Sequence, residues 1–201
     1  MRRRADPPGA RAADDLQQPT FIRRLERRDV PRLVRLLATS QPWLRLGYGT
    51  ADWRRLLGGP LADRDAWVIA EVGRARGIAI VRRTFLAGGY LELLAIEEAA
   101  RGSGLGARLL EHCENAVLAC APNFFVCVSD FNDGARRFYE GHGYVQVGRL
   151  DDLLIPGSAE LLLRKTTGPR RDAPSTAGSA PRMSAPRGRG ASSRRSTARL
   201  R

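Results

Sequence analysis

The chain has 201 residues, 43% of them hydrophobic, and a formal net charge of +13. That charge sits mostly in a tail. Residues 168–201 hold nine Arg against one Asp, residues 1–19 contribute +1, and residues 20–167 only +4, which argues against a folded nucleic-acid binder built on a basic surface.

Residues 1–19 are rich in Arg, Ala, Asp and Pro without periodicity and read as a disordered extension. FIRRL (21–25) reads as a short strand. Asp29 is placed to cap a helix carrying Val30, Leu33, Val34 and Leu37 on one face, with Pro31 in its first turn, where proline is tolerated. A second short helix follows Thr50. AWVIAEV (66–72), GIAIVRRTF (77–85) and YLELLAI (90–96) are β-rich runs separated by glycine-containing turns and read as a meander. From Leu105 an apolar stripe runs through Leu109, Leu110, Cys113, Ala116, Val117 and Cys120 at helical spacing. FFVCVSD (124–130) is apolar enough for a central strand. Asn132 or Asp130 caps a short helix, and YVQVGRL (144–150) and AELLLRK (159–165) close the domain as strands around a Pro156-Gly157 turn. Residues 168–201 bear almost no apolar side chains and cannot offset the entropy of ordering. The pattern is one domain over 20–167, of α+β or α/β class with a mixed sheet.

Lys165 is the single lysine, which points to a GC-rich coding sequence more than to a basic binding patch. Cys113, Cys120 and Cys127 stand seven apart with no CxxC pair, and His112 and His142 are the two histidines, so no metal site is expected. The odd thiol count on apparent core faces reads as buried free cysteines in a reducing compartment. No apolar run approaches the ~20 residues of a membrane span, and the N-terminus lacks the apolar segment of a secretory signal. The chain therefore reads as cytoplasmic, without a membrane partner.

The stretch RGSGLGARLLEHC, residues 101–113, carries chemistry. Glycine costs about 1 kcal/mol relative to alanine inside a helix. A glycine loop after a strand, opening a helix, is an anion site, because the first helical amides have no internal partner and the dipole favours negative charge. A tight turn needing φ > 0 would be satisfied by one glycine. Gly102, Gly104 and Gly106, with Arg101 in front, exceed that need. The absence of GK[ST] excludes a P-loop. Gly102-x-Gly104-x-x-Ala107 fits a dinucleotide fingerprint with Asp130 downstream, but four residues separate the loop from its strand and several strands precede it.

Arg101-Gly-Ser-Gly104-Leu-Gly106 matches R-x-x-G-x-G in full, and Asn132-Asp-Gly-Ala-Arg-Arg-Phe138-Tyr139-Glu-Gly-His-Gly143-Tyr144 is similar to a second motif of the same family. On these two segments and the order of elements, residues 20–167 resemble the GNAT superfamily of acyl-CoA N-acyltransferases. The resemblance implies a central mixed, largely antiparallel sheet flanked by helices and splayed between YLELLAI and FFVCVSD. It implies acetyl-CoA as cosubstrate, with pantetheine against Leu94, Ala95 and Ile96, pyrophosphate on Arg101, Gly102, Ser103, Gly104, Leu105 and Gly106, and Asn132 nearby. It implies an amine acceptor, direct acyl transfer, and Tyr139 as general acid toward the thiolate. Phe138 then faces the core and Tyr139 the cleft, since adjacent helical positions point about 100° apart.

Glu92, a carboxylate inside an apolar strand, is the candidate general base, since partial burial raises a carboxyl pKa; otherwise it is a solvated residue or gives way to a water relay. Trp43 and Tyr48, with Trp53, either shape an acceptor slot or pack. A ribosomal-protein-type N-terminal acetyltransferase is the second enzyme reading, but the resemblance puts that subgroup's glutamate where this chain has Gly88-Gly89. A nucleic-acid partner would act only through the tail. Either a monomer or a homodimer is compatible with the sequence.

Overall fold

In a computed structural model, residues 19–171 are described. Apart from residues 19 and 168–171, the expected N-terminal extension and basic tail lie outside the described residues. The elements follow in chain order: β1 (Thr20–Arg24), α1 (Val30–Ala38), α2 (Thr50–Gly58), β2 (Arg64–Glu71), β3 (Arg74–Phe85), β4 (Gly88–Ile96), α3 (Leu105–Leu118), β5 (Asn123–Ser129), α4 (Asp133–Gly141), β6 (Val145–Asp151) and β7 (Ala159–Thr166). The strands form one seven-stranded sheet in the order β1-β2-β3-β4-β5-β7-β6. Every neighbouring pair is antiparallel except β4 and β5.

Each face of the sheet buries its own core. On one face α1 and α2 set Leu33, Leu37, Trp53 and Leu57 against Val68, Ile78, Ile80 and Leu93. On the other, α3 and α4 cover Ile69, Ala79, Val81, Phe124, Val126 and Leu163 with Leu105, Leu109, Leu110, Cys113 and Tyr139. Strand alternation supplies both cores at once: in β3, Ile78 and Ile80 face one way and Ala79 and Val81 the other.

Three local expectations change. Asp29 stands at the N-cap of α1 but makes no side-chain cap there. Its carboxylate instead accepts two hydrogen bonds from the Arg23 guanidinium, at 2.6 and 2.8 Å, and one from the Glu26 amide. A buried carboxylate gains more from a fixed guanidinium than from one helix amide. The α3 stripe is interrupted: Ala116 is exposed while Val117 and Leu118 pack on the core, and Cys120, also exposed, lies past the helix end at Leu118. Of the three thiols expected to be buried, Cys113 is buried, Cys127 is intermediate and Cys120 is exposed.

Candidate active site

The parallel pairing of β4 with β5 is short. It runs from Gly89–Phe124 to Leu91–Val126 and stops. Beyond it β4 continues to Ile96 on β3 alone. The two strands part there, and a cleft of about 830 Å³ opens between them, a volume suited to a small-molecule ligand.

A β-bulge sits where the strands part. Val81 pairs with Leu91 and Ile80 with Leu93, so Glu92 is the extra residue, opposite no partner. Bulges re-aim side chains, and here Glu92 lines the cleft. Both of its oxygens are taken. Arg64 donates at 2.6 Å (Nε to Oε2) and 3.2 Å, and Arg82 at 3.0 Å (Nε to Oε2) and 3.4 Å. Four donors meet about four lone-pair sites, so an incoming amine finds no open acceptor on this carboxylate. The open base expected from the apolar strand is thus a carboxylate committed to two arginines. Glu92→Gln is expected to lower stability by about 1–3 kcal/mol, because it leaves two partly buried guanidiniums around a neutral amide. Urea unfolding checks this; an unchanged midpoint would mean that the pairs contribute nothing.

The glycine loop closes the far end of the cleft. Gly102 and Gly104 have φ of +79° and +82°. A Cβ on either would touch nothing within 4 Å, so left-handed backbone accounts for glycine at both positions. A single glycine was expected to satisfy the turn; the turn uses two. Gly106 lacks a positive φ, and a Cβ there would lie 3.6 Å from Ile96 and 3.8 Å from Phe138, in ordinary contact. Neither strain nor crowding requires glycine at 106, and it lines the cleft. No side chain caps α3, so its first amides lack both internal and side-chain acceptors. By contrast, Asn132 caps α4 by accepting from the Ala135 amide at 3.2 Å.

Arg101, Gly102, Gly104, Gly106, Leu94, Ala95, Ile96 and Asn132 all line the cleft. Ser103 and Leu105 do not: the Ser103 hydroxyl donates to the Ala100 carbonyl at 2.7 Å, and the Leu105 side chain enters the core. Trp43 and Tyr48 line the opposite end, where each packs on Trp53 with ring centroids 5.6 and 5.2 Å apart. The segment bearing them is held to the end of β5 by Arg45, which stacks over Phe131 at 3.9 Å.

Tyr139 and Phe138 exchange the burial expected of them. Tyr139 belongs to the core at 6% exposure and still lines the cleft, while Phe138 is half-buried against His142. Burial raises the Tyr139 phenol above its usual pKa. Cys113 has no exposure, and burial pushes its thiol up to about 12, so it stays protonated at neutral pH. Asp130, the acid of the dinucleotide reading, accepts from the Ser158 hydroxyl and the Ala159 amide and pairs with Arg149. It staples the start of β7 and is not an open ribose ligand. Among the described residues no three His, Cys, Asp or Glu cluster as metal ligands would, and no helix is long and apolar enough to cross a membrane.

Residues 62–146 match the family model described as the acetyltransferase (GNAT) domain. Over that stretch the chain is similar to the acetyltransferase (GNAT) domain. The matched segment holds β3, β4, the glycine loop, α3, β5 and α4, which supply most of the cleft's lining. No curated protein matches the chain significantly. Among solved structures, the GNAT fold recurs in an aminoglycoside 6'-N-acetyltransferase complexed with coenzyme A, at 20% identity and TM-score 0.62 over 76% of this chain and 99% of that one. It recurs in the ribosomal-protein-S18-alanine N-acetyltransferase from Escherichia coli, at 15% identity and TM-score 0.62 over 79% and 98%. A third is Arabidopsis thaliana NAA60 in complex with acetyl-CoA, at 15% identity and TM-score 0.60 over 74% and 99%. Identities this low establish the shared fold.

The cleft is also lined by groups that the sequence reading passed over: Tyr90, Arg82, Cys127, Ser129 and Glu160. Glu160 had the same signal as Glu92. It is a carboxylate inside an apolar strand, here AELLLRK.

Proposed function

We propose that the domain transfers the acetyl group of acetyl-CoA directly to the primary amine of an acceptor. The observation that carries this reading is the gap beyond Leu91, where β4 has no neighbour on the β5 side and leads, through the short turn of residues 97–100, to the glycine loop. An extended pantetheine arm carries amides that can pair with the free edge of Leu94, Ala95 and Ile96, as a strand would. Its pyrophosphate then reaches the amides of 101–106 and the N-terminus of α3. Two of the structural neighbours are described with coenzyme A or acetyl-CoA, which supports that cosubstrate here.

In this reading the thioester carbonyl lies where β4 bulges, and main-chain amides polarise it. The amine loses a proton, attacks the carbonyl carbon, and the C–S bond breaks. Tyr139, lining the cleft from α4, donates to the departing sulfur. The attack needs no enzyme nucleophile, consistent with Cys113 as a buried structural thiol. Three unpaired thiols fit a reducing compartment, and we place the protein in the cytoplasm.

Gly106 gives the test. Gly106→Ala meets only ordinary contacts, and it exchanges a poor helix former for the best one. The melting temperature is expected to hold or rise, while CoA affinity measured by calorimetry falls about tenfold, roughly 1.4 kcal/mol. Unchanged CoA affinity would remove the loop from the binding site. Tighter binding of NAD than of CoA by the unaltered protein would sink the reading.

A further inference from the structure

Two carboxylates line the cleft, Glu92 and Glu160, and among the described residues Glu160 has no opposite charge beside it. Arg82 and Glu92 satisfy each other, and Arg64 shares the same carboxylate. Glu160, on β7, lies in register with Ser129 on β5. It is 5% exposed, lines the cleft, and among the described residues takes part in no ion pair. Its one hydrogen bond comes from the Ser129 hydroxyl, which donates to Oε1 at 2.5 Å. Among the described residues Oε2 has no hydrogen-bond partner, at the wall of a cavity. A buried carboxylate lacking a countercharge is costly, and a cationic substrate group would supply that charge.

Much of the remaining lining is apolar and aromatic. Trp43, Leu46, Tyr48, Trp53 and Leu154 also line the cleft, as does Tyr90 of β4. There is thus a single seat for one positive charge, beside walls that favour an uncharged body. A polyamine or an aminoglycoside would bring further ammonium groups to a cleft whose other carboxylate, Glu92, is already committed to Arg64 and Arg82.

We propose that Glu160 receives the acceptor's ammonium and takes its proton, and that the acceptor is a small primary amine bearing one positive charge on an apolar or aromatic body. This rests on the acyl-transfer reading above. The ammonium gives one proton to the Glu160 carboxylate. The free amine forms the N–C bond, the tetrahedral adduct loses its second proton and expels the thiolate, and the thiolate is protonated to CoA thiol. Glu160 returns its proton to solvent, so each turnover releases one.

The surroundings suit that exchange. Burial raises the Glu160 carboxyl above the usual range, with Ser129's hydrogen bond opposing and the Asp130 charge reinforcing. The other titratable groups near it are Tyr90 on β4 and Cys127 on β5, both raised by burial and neutral at physiological pH. Asp130 is itself paired with Arg149 of β6. A base whose pKa is moved toward the working pH is the more effective one.

The test measures acetyl-CoA turnover by thiol release for the full chain with 2-phenylethylamine, hexylamine, spermidine, kanamycin and a tetrapeptide bearing a free N-terminus. The first two are expected to exceed the others at least tenfold in kcat/KM. Glu160→Gln keeps the size and the Ser129 contact. It is expected to lower kcat/KM for phenylethylamine about 100-fold or more, with CoA affinity by calorimetry unchanged and the acid limb of the pH profile lost. Ser129→Ala keeps the carboxylate but removes the hydrogen bond that lowers its pKa, so the acid limb is expected to move to higher pH. A merely structural Glu160 would shift the melting temperature and leave both limbs in place. Preference for spermidine, kanamycin or the peptide overturns the acceptor class. Turnover of Glu160→Gln within threefold, an unmoved limb in Ser129→Ala, or CoA binding without transfer to any of these amines overturns the role of Glu160. Failure of the unaltered protein to bind CoA would instead overturn the underlying acyl-transfer reading.

Discussion

Tyr139→Phe is expected to lower the turnover rate roughly 10- to 1000-fold while leaving acetyl-CoA affinity nearly intact. The side chain is almost wholly buried, packed with its ring 5.2 Å from Phe138 and 5.5 Å from Tyr144. Phenylalanine fills the same space, so the fold tolerates the change and the loss isolates the hydroxyl. A free phenol ionises near pH 10 and a free thiol near 8.5. Burial raises Tyr139 further, so full transfer of its proton to the thiolate runs uphill. What the hydroxyl supplies is a hydrogen bond that strengthens as charge gathers on sulfur. Tyr139 should then contribute no basic limb to the turnover profile below pH 10, because its raised pKa keeps the donor protonated throughout. Turnover unchanged in Tyr139→Phe, under conditions where chemistry limits the rate, would return the residue to packing.

The parts of the site legible in the sequence are those where backbone conformation leaves a residue signature. Gly102, Gly104 and Gly106 mark the loop, and Asn132 marks the start of α4. Apolar runs of two different periods mark the strands and helices on either side. The illegible parts depend on who sits opposite whom. Glu92 reads as an isolated carboxylate in YLELLAI, but its partners Arg64 and Arg82 come from the two preceding strands, through a register that includes a bulge. Glu160 shows the converse. Its surroundings depend on β7 inserting between β5 and β6, and sequence order says nothing of that insertion. Asp29 and Asp130 look alike as helix caps, and both are spent on tertiary contacts. In each case the side chain serves the partner with the greater charge or the deeper burial, and neither property shows in a capping pattern. Tyr139 and Phe138 differ for the same reason. The 100° between them is local, but which of the two meets the core is set by where α4 lies on the sheet.

Gly88→Ala is expected to be the most damaging single methyl addition near the site. Gly88 opens β4 just before its parallel pairing with β5 begins at Gly89. A Cβ at 88 would lie 2.0 Å from the Asn123 carbonyl oxygen, 2.6 Å from its carbon and 2.8 Å from the Asn123 Cβ. Those are main-chain atoms or bonded directly to main chain, so no rotamer relieves the clash and the strands must separate. Asn123 is itself fixed, buried and donating to the Ala87 carbonyl at 3.1 Å. The parallel contact spans three residue pairs and is the sheet's seam between β1–β4 and β5–β7. Opening it at one end loosens the pairing that fixes where the cleft begins. Overpacking of this kind costs about 3 kcal/mol or more, which corresponds to a fall of about 6–12 °C in Tm at this domain size. Gly89→Ala meets the Val117 methyls at 2.8 and 3.0 Å, atoms at the end of a side chain, and is expected to cost less. Gly141→Ala, with nothing within 4 Å in the last turn of α4, is expected to leave Tm unchanged or slightly raised. Thermal melting of the three variants decides the matter: if Gly88→Ala melts within 2 °C of the unaltered protein, the seam is not the tight contact that fixes the two halves of the sheet.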